Sequence, residues 1–440
     1  MPGLLNLLYL LALLIASPWL LYRRWRQGKR LGGLRTKLTG DVVLTMTSGA
    51  SPGQNQRIWL HAVSVGEVLL LQPIINKLKQ QFPDFGLYLS VTTTTGREVA
   101  EKTYPDLNII WFPFDFTWAV NRALLQIQPQ LIILAELELW PNFITIAHAR
   151  CIPVIVVNGR MGQRSFRGYQ RLRWLISPLL KRIDHFAVQQ EEYAQRLLQL
   201  GMPAEKISIT GSVKFDGVTV NRHDAKVEQM RTLLGIKKES LVWVVGSTQA
   251  PEESWALEIF QIARPFHPDL TLIIVPRHQE RFQEVADLMA KSGLPFRRRS
   301  TLNTQHSAPG TTLFLIDTLG ELKTIWGLAD VAFVGGSFNE RGGQNMIEPA
   351  AYGAAVTFGP NTWNFKQIVQ SLLEHRAAIE VKNKNEWAGT TTRLLASAAE
   401  RQELGNRAQQ FVASQQGATQ KTIELIEPYL QQDHTRKQAA

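Results

Sequence analysis

Along the chain, short apolar runs alternate with stretches in which apolar positions recur every three or four residues. The runs at 57–63 (RIWLHAV), 87–92 (LYLSVT), 109–112, 131–135 (LIILA), 153–158 (PVIVVN), 185–189 and 207–210 have the length and mainly apolar character of strands covered on both faces. Between them the spacing predicts helices, most clearly over 68–81 (VLLLQPIINKLKQQ) and from 96–103 onward. A second series, at 241–246 (LVWVVG), 270–276 (LTLIIVP), 312–316 (TLFLI), 331–335 (VAFVG) and 355–358 (AVTF), repeats the rhythm. Such alternation predicts an α/β fold of parallel sheets with helices on both faces. Two series in 440 residues predict two doubly wound domains, over 31–215 and 216–425, with a helix over 402–430 and a polar tail over 426–440. Ligands are expected at strand C-termini, in a cleft between the domains.

The N-terminus breaks this pattern. Residues 4–22 (LLNLLYLLALLIASPWLLY) carry no charge and are long enough to cross a bilayer as a helix. Arg23, Arg24, Arg26, Lys29 and Arg30 follow, with Trp19, Tyr22 and Trp25 at the boundary. The order of apolar and basic residues predicts a membrane anchor over 1–30, with the rest of the chain on the cytoplasmic side. A secretory signal would place its charge before the apolar run. Asn6 and Pro18 interrupt the run, so a helix lying in the interface is the competing reading.

Charge adds a constraint. Lys and Arg number 48 and Asp and Glu 37, a net of +11, which suits nucleic acid, an anionic lipid surface, or a phosphorylated and carboxylated substrate. Residues 164–182 mix Arg164, Arg167, Arg171, Arg173, Lys181 and Arg182 with Trp174, Leu175, Leu179 and Leu180. That stretch reads equally as a solvated basic face or as a surface resting on anionic lipid. The single cysteine, Cys151, excludes an intramolecular disulfide.

Candidate chemistry collects where strands end. Ser64-Val65-Gly66-Glu67 follows the first strand; Glu67 reads as a general base, or as the partner of Ser64 in a capping box. In a cap the helix dipole would lower its pKa. Glu136-Leu137-Glu138 follows the run at 131–135, and both carboxylates would share one side if the strand continued through them. Proximity of like charges would then raise one pKa. Lys214 stands in Gly211-Ser212-Val213-Lys214-Phe215-Asp216, at the expected domain junction. In the second series, Gly246-Ser247-Thr248 precedes Pro251-Glu252-Glu253, and Pro276-Arg277-His278 ends a strand. Asp317-Thr318-Leu319-Gly320-Glu321 opens a helix. Gly335-Gly336-Ser337, Gly342-Gly343-Gln344-Asn345 and Glu348-Pro349 surround another junction. Glycines admit close backbone approach, helix N-termini favour phosphate, and Glu348 could accept ribose hydroxyls, so together these predict a nucleotide site. The chain has no D-x-D, H-E-x-x-H or phosphate-loop pattern and no His/Cys cluster with ligand spacing, so no metal and no cofactor is expected.

Taken in order, HAVSVGE (61–67), ELELWPN (136–142), GSVKFD (211–216), VPRHQERF (275–282), DTLGEL (317–322), FVGGSFNERGGQNMIEPAAYG (333–353) and FGPNTWNF (358–365) resemble the motifs of the 3-deoxy-manno-octulosonic acid (Kdo) transferases, over nearly the whole chain. The resemblance implies the GT-B fold, with acceptor binding in the first domain and CMP-Kdo binding in the second. It implies an inverting, metal-free glycosyltransferase of lipopolysaccharide core biosynthesis at the bacterial inner membrane. It also implies CMP-Kdo, a lipid A precursor and an anionic membrane surface as partners, and no nucleic acid. Carried over by motif, Glu67 matches the general base, and Glu136 and Lys214 match residues assigned to transition-state stabilisation. Pro276, Arg277, Leu319, Gly320, Glu321, Asn345, Met346, Ile347 and Glu348 match the CMP-binding segments. The chain departs from the family where Gln249 and Gln344 replace His, Leu137 replaces Thr and Ser212 replaces Asn; Gln keeps a donor but cannot carry charge. The rival readings are another GT-B enzyme, either a UDP-sugar transferase or an epimerase, and a non-catalytic basic membrane protein.

Overall fold

The computed structural model describes residue 3 and residues 5–11, 14–15, 32–42, 56–218, 221–302 and 312–438, with side chains to Gln431. Pro18, the boundary aromatics and the basic flank lie outside the described residues. The chain divides into two compact units, residues 1–217 with 416–440, and residues 218–415.

The first unit is built on β1 (Gln56–Ala62), β2 (Phe85–Val91), β3 (Asn108–Trp111), β4 (Leu131–Ala135), β5 (Val154–Gly159), β6 (His185–Val188) and β7 (Ile207–Ile209). They form one sheet in the order β3-β2-β1-β4-β5-β6-β7, paired in parallel. Alternation within β1 explains why its apolar residues are consecutive at 58–60. Trp59 enters the core on one face, with Phe143 and Phe186, while Ile58 and Leu60 enter the core on the other, with Ile133 and Val157. Each such aliphatic side chain contributes on the order of 2 kcal/mol by leaving water.

The second unit carries β8 (Val242–Thr248), β9 (Thr271–Pro276), β10 (Arg297–Arg298), β11 (Leu313–Leu315), β12 (Val331–Val334), β13 (Ala355–Phe358) and β14 (Ile379–Glu380). Their order is β10-β11-β9-β8-β12-β13-β14, again parallel. In its core Phe333 stacks on Trp387 at 3.9 Å between ring centroids. In each sheet the winding reverses once, between β1 and β4 in the first and between β8 and β12 in the second. At such a reversal the loops at the strand C-termini diverge to opposite faces and leave a crevice.

The structure corrects several predicted boundaries. The helix expected over 68–81 is two helices, Val65–Leu70 and Gln72–Gln81, because Pro73 lacks an amide hydrogen and opens a new first turn. The helix expected over 402–430 is also two, Ala398–Ser414 and Ala418–Gln438, separated at Gly417 with φ of 99°. The latter helix runs on through the expected polar tail. It buries Ala418, Ile423, Ile426 and Leu430 in the core of the first unit, so residues 416–425 belong there and not to the second domain. Asp216 fixes this return, because its carboxylate accepts the amide hydrogens of Gly417, at 2.7 Å, and of Thr419.

Candidate functional site

The reversal between β1 and β4 gathers carboxylates. After Ala62 the chain turns into the helix Val65–Leu70, whose N-cap is Ser64. Ser64 Oγ accepts the Glu67 amide at 3.4 Å and donates its own hydrogen to Glu67 Oε1 at 3.0 Å; Glu67 Oε2 accepts the Val63 amide at 2.7 Å. The capping reading of this motif is therefore realised, with the carboxylate reaching one residue further back than usual. The expected lowering of its pKa is not. Burial and the charge of Glu136 raise Glu67 despite its hydrogen bonds.

Glu136 follows β4 at once. Its amide donates to Val157 O at 2.9 Å, but its φ of 55° takes the chain out of the strand. The alternation expected to carry both carboxylates to one side ends there. A left-handed backbone at a residue with a Cβ costs about 1 kcal/mol or more and persists only where the surroundings enforce it. Two residues on, Glu138 Oε2 accepts Trp140 Nε1–H at 2.9 Å. Burial, then the charges of Glu67 and Glu136, push Glu138 up to about 7. Glu67, Glu136 and Glu138 thus form one electrostatic cluster at the sheet reversal.

Lys214 sits half-buried in the turn after β7. The turn is tied to β5 by the Val213 amide, which donates to Asn158 Oδ1 at 3.1 Å.

In the second unit the reversal gathers backbone amides. Glu252, with no exposed surface, accepts amide hydrogens from Gln249 at 2.9 Å, Gly336 at 2.8 Å, Ser337 at 3.0 Å and Phe338 at 3.2 Å. Burial pushes it up to about 7 against the pull of these donors. It straps the glycine turn after β12 to the turn after β8. A Cβ on Gly335 would stand 2.6 Å from the Glu252 carboxylate and 2.8 Å from Ser247 O, so only glycine fits. The neighbouring Glu253 is buried too, paired with Arg281.

The expected nucleotide residues surround this turn in different states. Pro276 ends β9, and the Arg277 amide donates to Thr248 O at 3.2 Å while its side chain is exposed. Leu319 and Gly320 are exposed, whereas Glu321 is paired with Arg299 at 2.7 Å and accepts the Thr318 hydroxyl. Asn345 Oδ1 takes the Ile347 amide at 3.0 Å, and Asn345 Nδ2 donates to Glu348 at 3.3 Å. Met346 and Ile347 point into the core. Burial raises Glu348 against the pull of Lys323 and Asn345. Among the described residues no group of three His, Cys, Asp or Glu is placed to hold a metal ion.

Residues 29–217 match the family model described as 3-deoxy-D-manno-octulosonic-acid transferase (kdotransferase). The chain is 34% identical over 380 residues to the 3-deoxy-D-manno-octulosonic acid transferase of Haemophilus influenzae, covering 86% of this chain and 88% of that one. To the enzyme of the same description from Bordetella pertussis it is 32% identical, over 96% of this chain and 99% of that one. The chain belongs to the Kdo transferase family. It is a glycosyltransferase that acts with a sugar nucleotide and transfers Kdo. A UDP-GlcNAc 2-epimerase of Neisseria meningitidis bound to UDP-GlcNAc shares the fold, with a TM-score of 0.57 over 85% of this chain and all of that one, at 12% identity. The two parallel-sheet α/β units therefore resemble the GT-B architecture.

Two departures from the family's motifs now have a location. Gln249 is buried in the turn strapped by Glu252, through its amide. Gln344 lies beside Gly336, 3.6 Å from where a Cβ there would stand. Sequence reasoning passed over two residues of consequence. Glu252 was visible only as a helix-start acid, and Asp115 carried no motif at all. Asp115 caps the helix Pro141–Ala149 from a distance in sequence, accepting the amides of Asn142 at 3.0 Å and Phe143 at 2.8 Å.

Proposed function

We propose that the chain moves Kdo from CMP-Kdo to a hydroxyl of a lipid A precursor, with inversion and with Glu67 as general base. The observation that carries this reading is the cluster of Glu67, Glu136 and Glu138 at the sheet reversal, where burial and like charge strengthen Glu67 as a base. The Ser64 hydroxyl can rotate off Glu67 Oε1 when an acceptor hydroxyl takes its place. Glu67 then receives that proton, the acceptor oxygen bonds to the anomeric carbon, and the bond from that carbon to the phosphate oxygen breaks on the opposite face. CMP departs with the electron pair. Lys214 and Arg277 are assigned to the charge that develops on the phosphate, and Glu136 to the cationic sugar in the transition state. In the second unit the strapped glycine turn, Asn345 and Glu348 take the cytidine nucleotide.

We assign the acceptor side to the cytoplasmic face of the inner membrane. Leu7, Leu8, Leu10, Leu11, Leu14 and Ile15 are exposed. So are Leu172, Trp174 and Leu175, among the exposed Arg164, Arg167, Arg171 and Arg173. Apolar side chains interleaved with cations suit an anionic lipid surface. No helix among the described residues is long and apolar enough to cross a membrane. We read the N-terminal segment as a membrane anchor that presents Leu7, Leu8, Leu10 and Leu11 to lipid.

The test is incubation with CMP-Kdo and tetraacylated lipid A precursor, with the product weighed by mass spectrometry. A product heavier by one or more Kdo residues supports the assignment. An unchanged acceptor, together with thermal stabilisation by UDP and not by CMP, would replace it with a UDP-sugar enzyme.

A further inference from the structure

Two helices of the first unit begin without a side-chain cap of their own. The helix Thr117–Ile127 has Phe116 as N-cap and the helix Pro141–Ala149 has Trp140, and neither side chain accepts an amide hydrogen. Uncapped helix starts leave orphan donors, and each missing cap costs about 1 kcal/mol. Both starts are satisfied from far along the chain. Asp115 takes the Asn142 and Phe143 amides. Asn6 Oδ1 accepts the Thr117 amide at 3.2 Å and the Asn142 side chain at 3.3 Å, and Asn6 Nδ2 donates to Thr117 Oγ1 at 2.7 Å. The Tyr9 hydroxyl donates to Asp115 Oδ2 at 3.0 Å, and its ring meets Phe116 edge-on at 6.0 Å.

Asn6 and Tyr9 are three residues apart on a helix, so they share one face. They are half-buried, while Leu7, Leu8, Leu10 and Leu11 are exposed. The polar edge of the N-terminal segment thus grips the globular unit while its leucines face outward. What it grips matters. The helix Pro141–Ala149 starts immediately after the loop carrying Glu136 and Glu138. Trp140, its cap residue, holds Glu138 and packs against Phe112 at 5.5 Å, and Phe112 in turn stacks on His61 of β1 at 3.7 Å.

We propose that the N-terminal segment is a working part of the acceptor-side site, in which Asn6 and Tyr9 are positioning residues that, through Asp115 and Asn142, fix the carboxylate loop 136–140. The proposal rests on the transferase reading for its catalytic consequence, but not for the docking itself. A segment that acted only as a tether would need its leucines and not its two polar side chains.

The experiment uses the full chain in detergent micelles, where attachment to a bilayer is not limiting. Asn6→Ala/Tyr9→Phe is compared with Leu7→Ala/Leu8→Ala. The first variant is expected to lose about ten- to a hundredfold in kcat for Kdo transfer, the scale on which a misplaced catalytic loop is felt, with KM for CMP-Kdo unchanged. Amide exchange in peptides covering 115–120 and 136–145 is expected to accelerate in that variant alone. The leucine variant should keep wild-type exchange in both peptides. Equal acceleration of exchange in both variants, or wild-type turnover and exchange in the polar variant, would overturn the proposal. If the wild-type chain itself failed to transfer Kdo, the transferase reading would fall, and the exchange measurement would still decide whether the polar edge holds the loop.

Discussion

The two sheet reversals are built alike and furnished oppositely. At β1/β4, Glu67, Glu136 and Glu138 crowd together, and the hydrogen bonds of Glu67 include one from a hydroxyl that can rotate away. At β8/β12 a single carboxylate, Glu252, is enclosed by four backbone amides that cannot move without unfolding the turns. Burial raises both Glu67 and Glu252, so a perturbed pKa by itself marks both as functional. What separates a reagent from a strut is access and saturation. Glu67 is partly exposed with a displaceable partner, whereas Glu252 has no exposed surface and fixed ones.

The comparison breaks most visibly at the strut. Glu252→Ala leaves four amides without an acceptor and should cost about 3 kcal/mol or more of stability, read by urea unfolding, with loss of stabilisation by CMP. Intact CMP binding in a folded Glu252→Ala protein would show that the glycine turn stands without its strap. Glu67→Gln is the matching test at the other reversal. The amide side chain retains an oxygen for the Val63 amide, so the fold and CMP binding should survive while transfer falls by at least about a hundredfold. A variant with more than a tenth of wild-type turnover would remove Glu67 from the role of base.

The sequence displayed these two regions unequally. The apolar runs predicted the central strands of both sheets because each strand buries both faces. It hid β10 and β14, which are two residues long at the sheet edges and carry Arg297, Arg298 and Glu380 instead of an apolar run. It placed Glu67 and Glu136 at strand ends by motif, and the reversal between β1 and β4 brings them together. Partnerships across long separations left no local signal. The bond from Glu252 to Gly336 spans 84 positions, that from Tyr9 to Asp115 spans 106, and that from Asp216 to Gly417 spans 201. Asn6 reads in sequence as a flaw in an apolar helix because its partners, Thr117 and Asn142, are more than a hundred residues away.

A smaller effect sharpens the second unit's reversal. Gln344 stands beside Gly336 where related motifs carry His, so on lowering the pH through about 6.5 Gln344→His should gain roughly three- to tenfold in CMP affinity relative to the wild type, read by titration calorimetry of both proteins. Parallel profiles in the two proteins would mean that this side chain does not face the phosphate.

The smallest effect lies at the first unit's reversal and concerns stability. Glu138 is pushed up to about 7, mainly by burial and then by Glu67 and Glu136. Between its usual value near 4.5 and 7, the folded chain therefore binds this proton more tightly than the unfolded chain does. Stability from this group is greatest at low pH and is lost as pH rises through that window, the reverse of a salt-bridged carboxylate. Glu138→Gln removes the charge and keeps an oxygen for Trp140. Its Tm should exceed that of the wild type by about a degree or two at pH 8 and match it near pH 4.5. An advantage of the same size at both pH values would trace to packing and not to charge. A loss at pH 8 would mean that a cation compensates the cluster, and the contrast between the two reversals would then disappear.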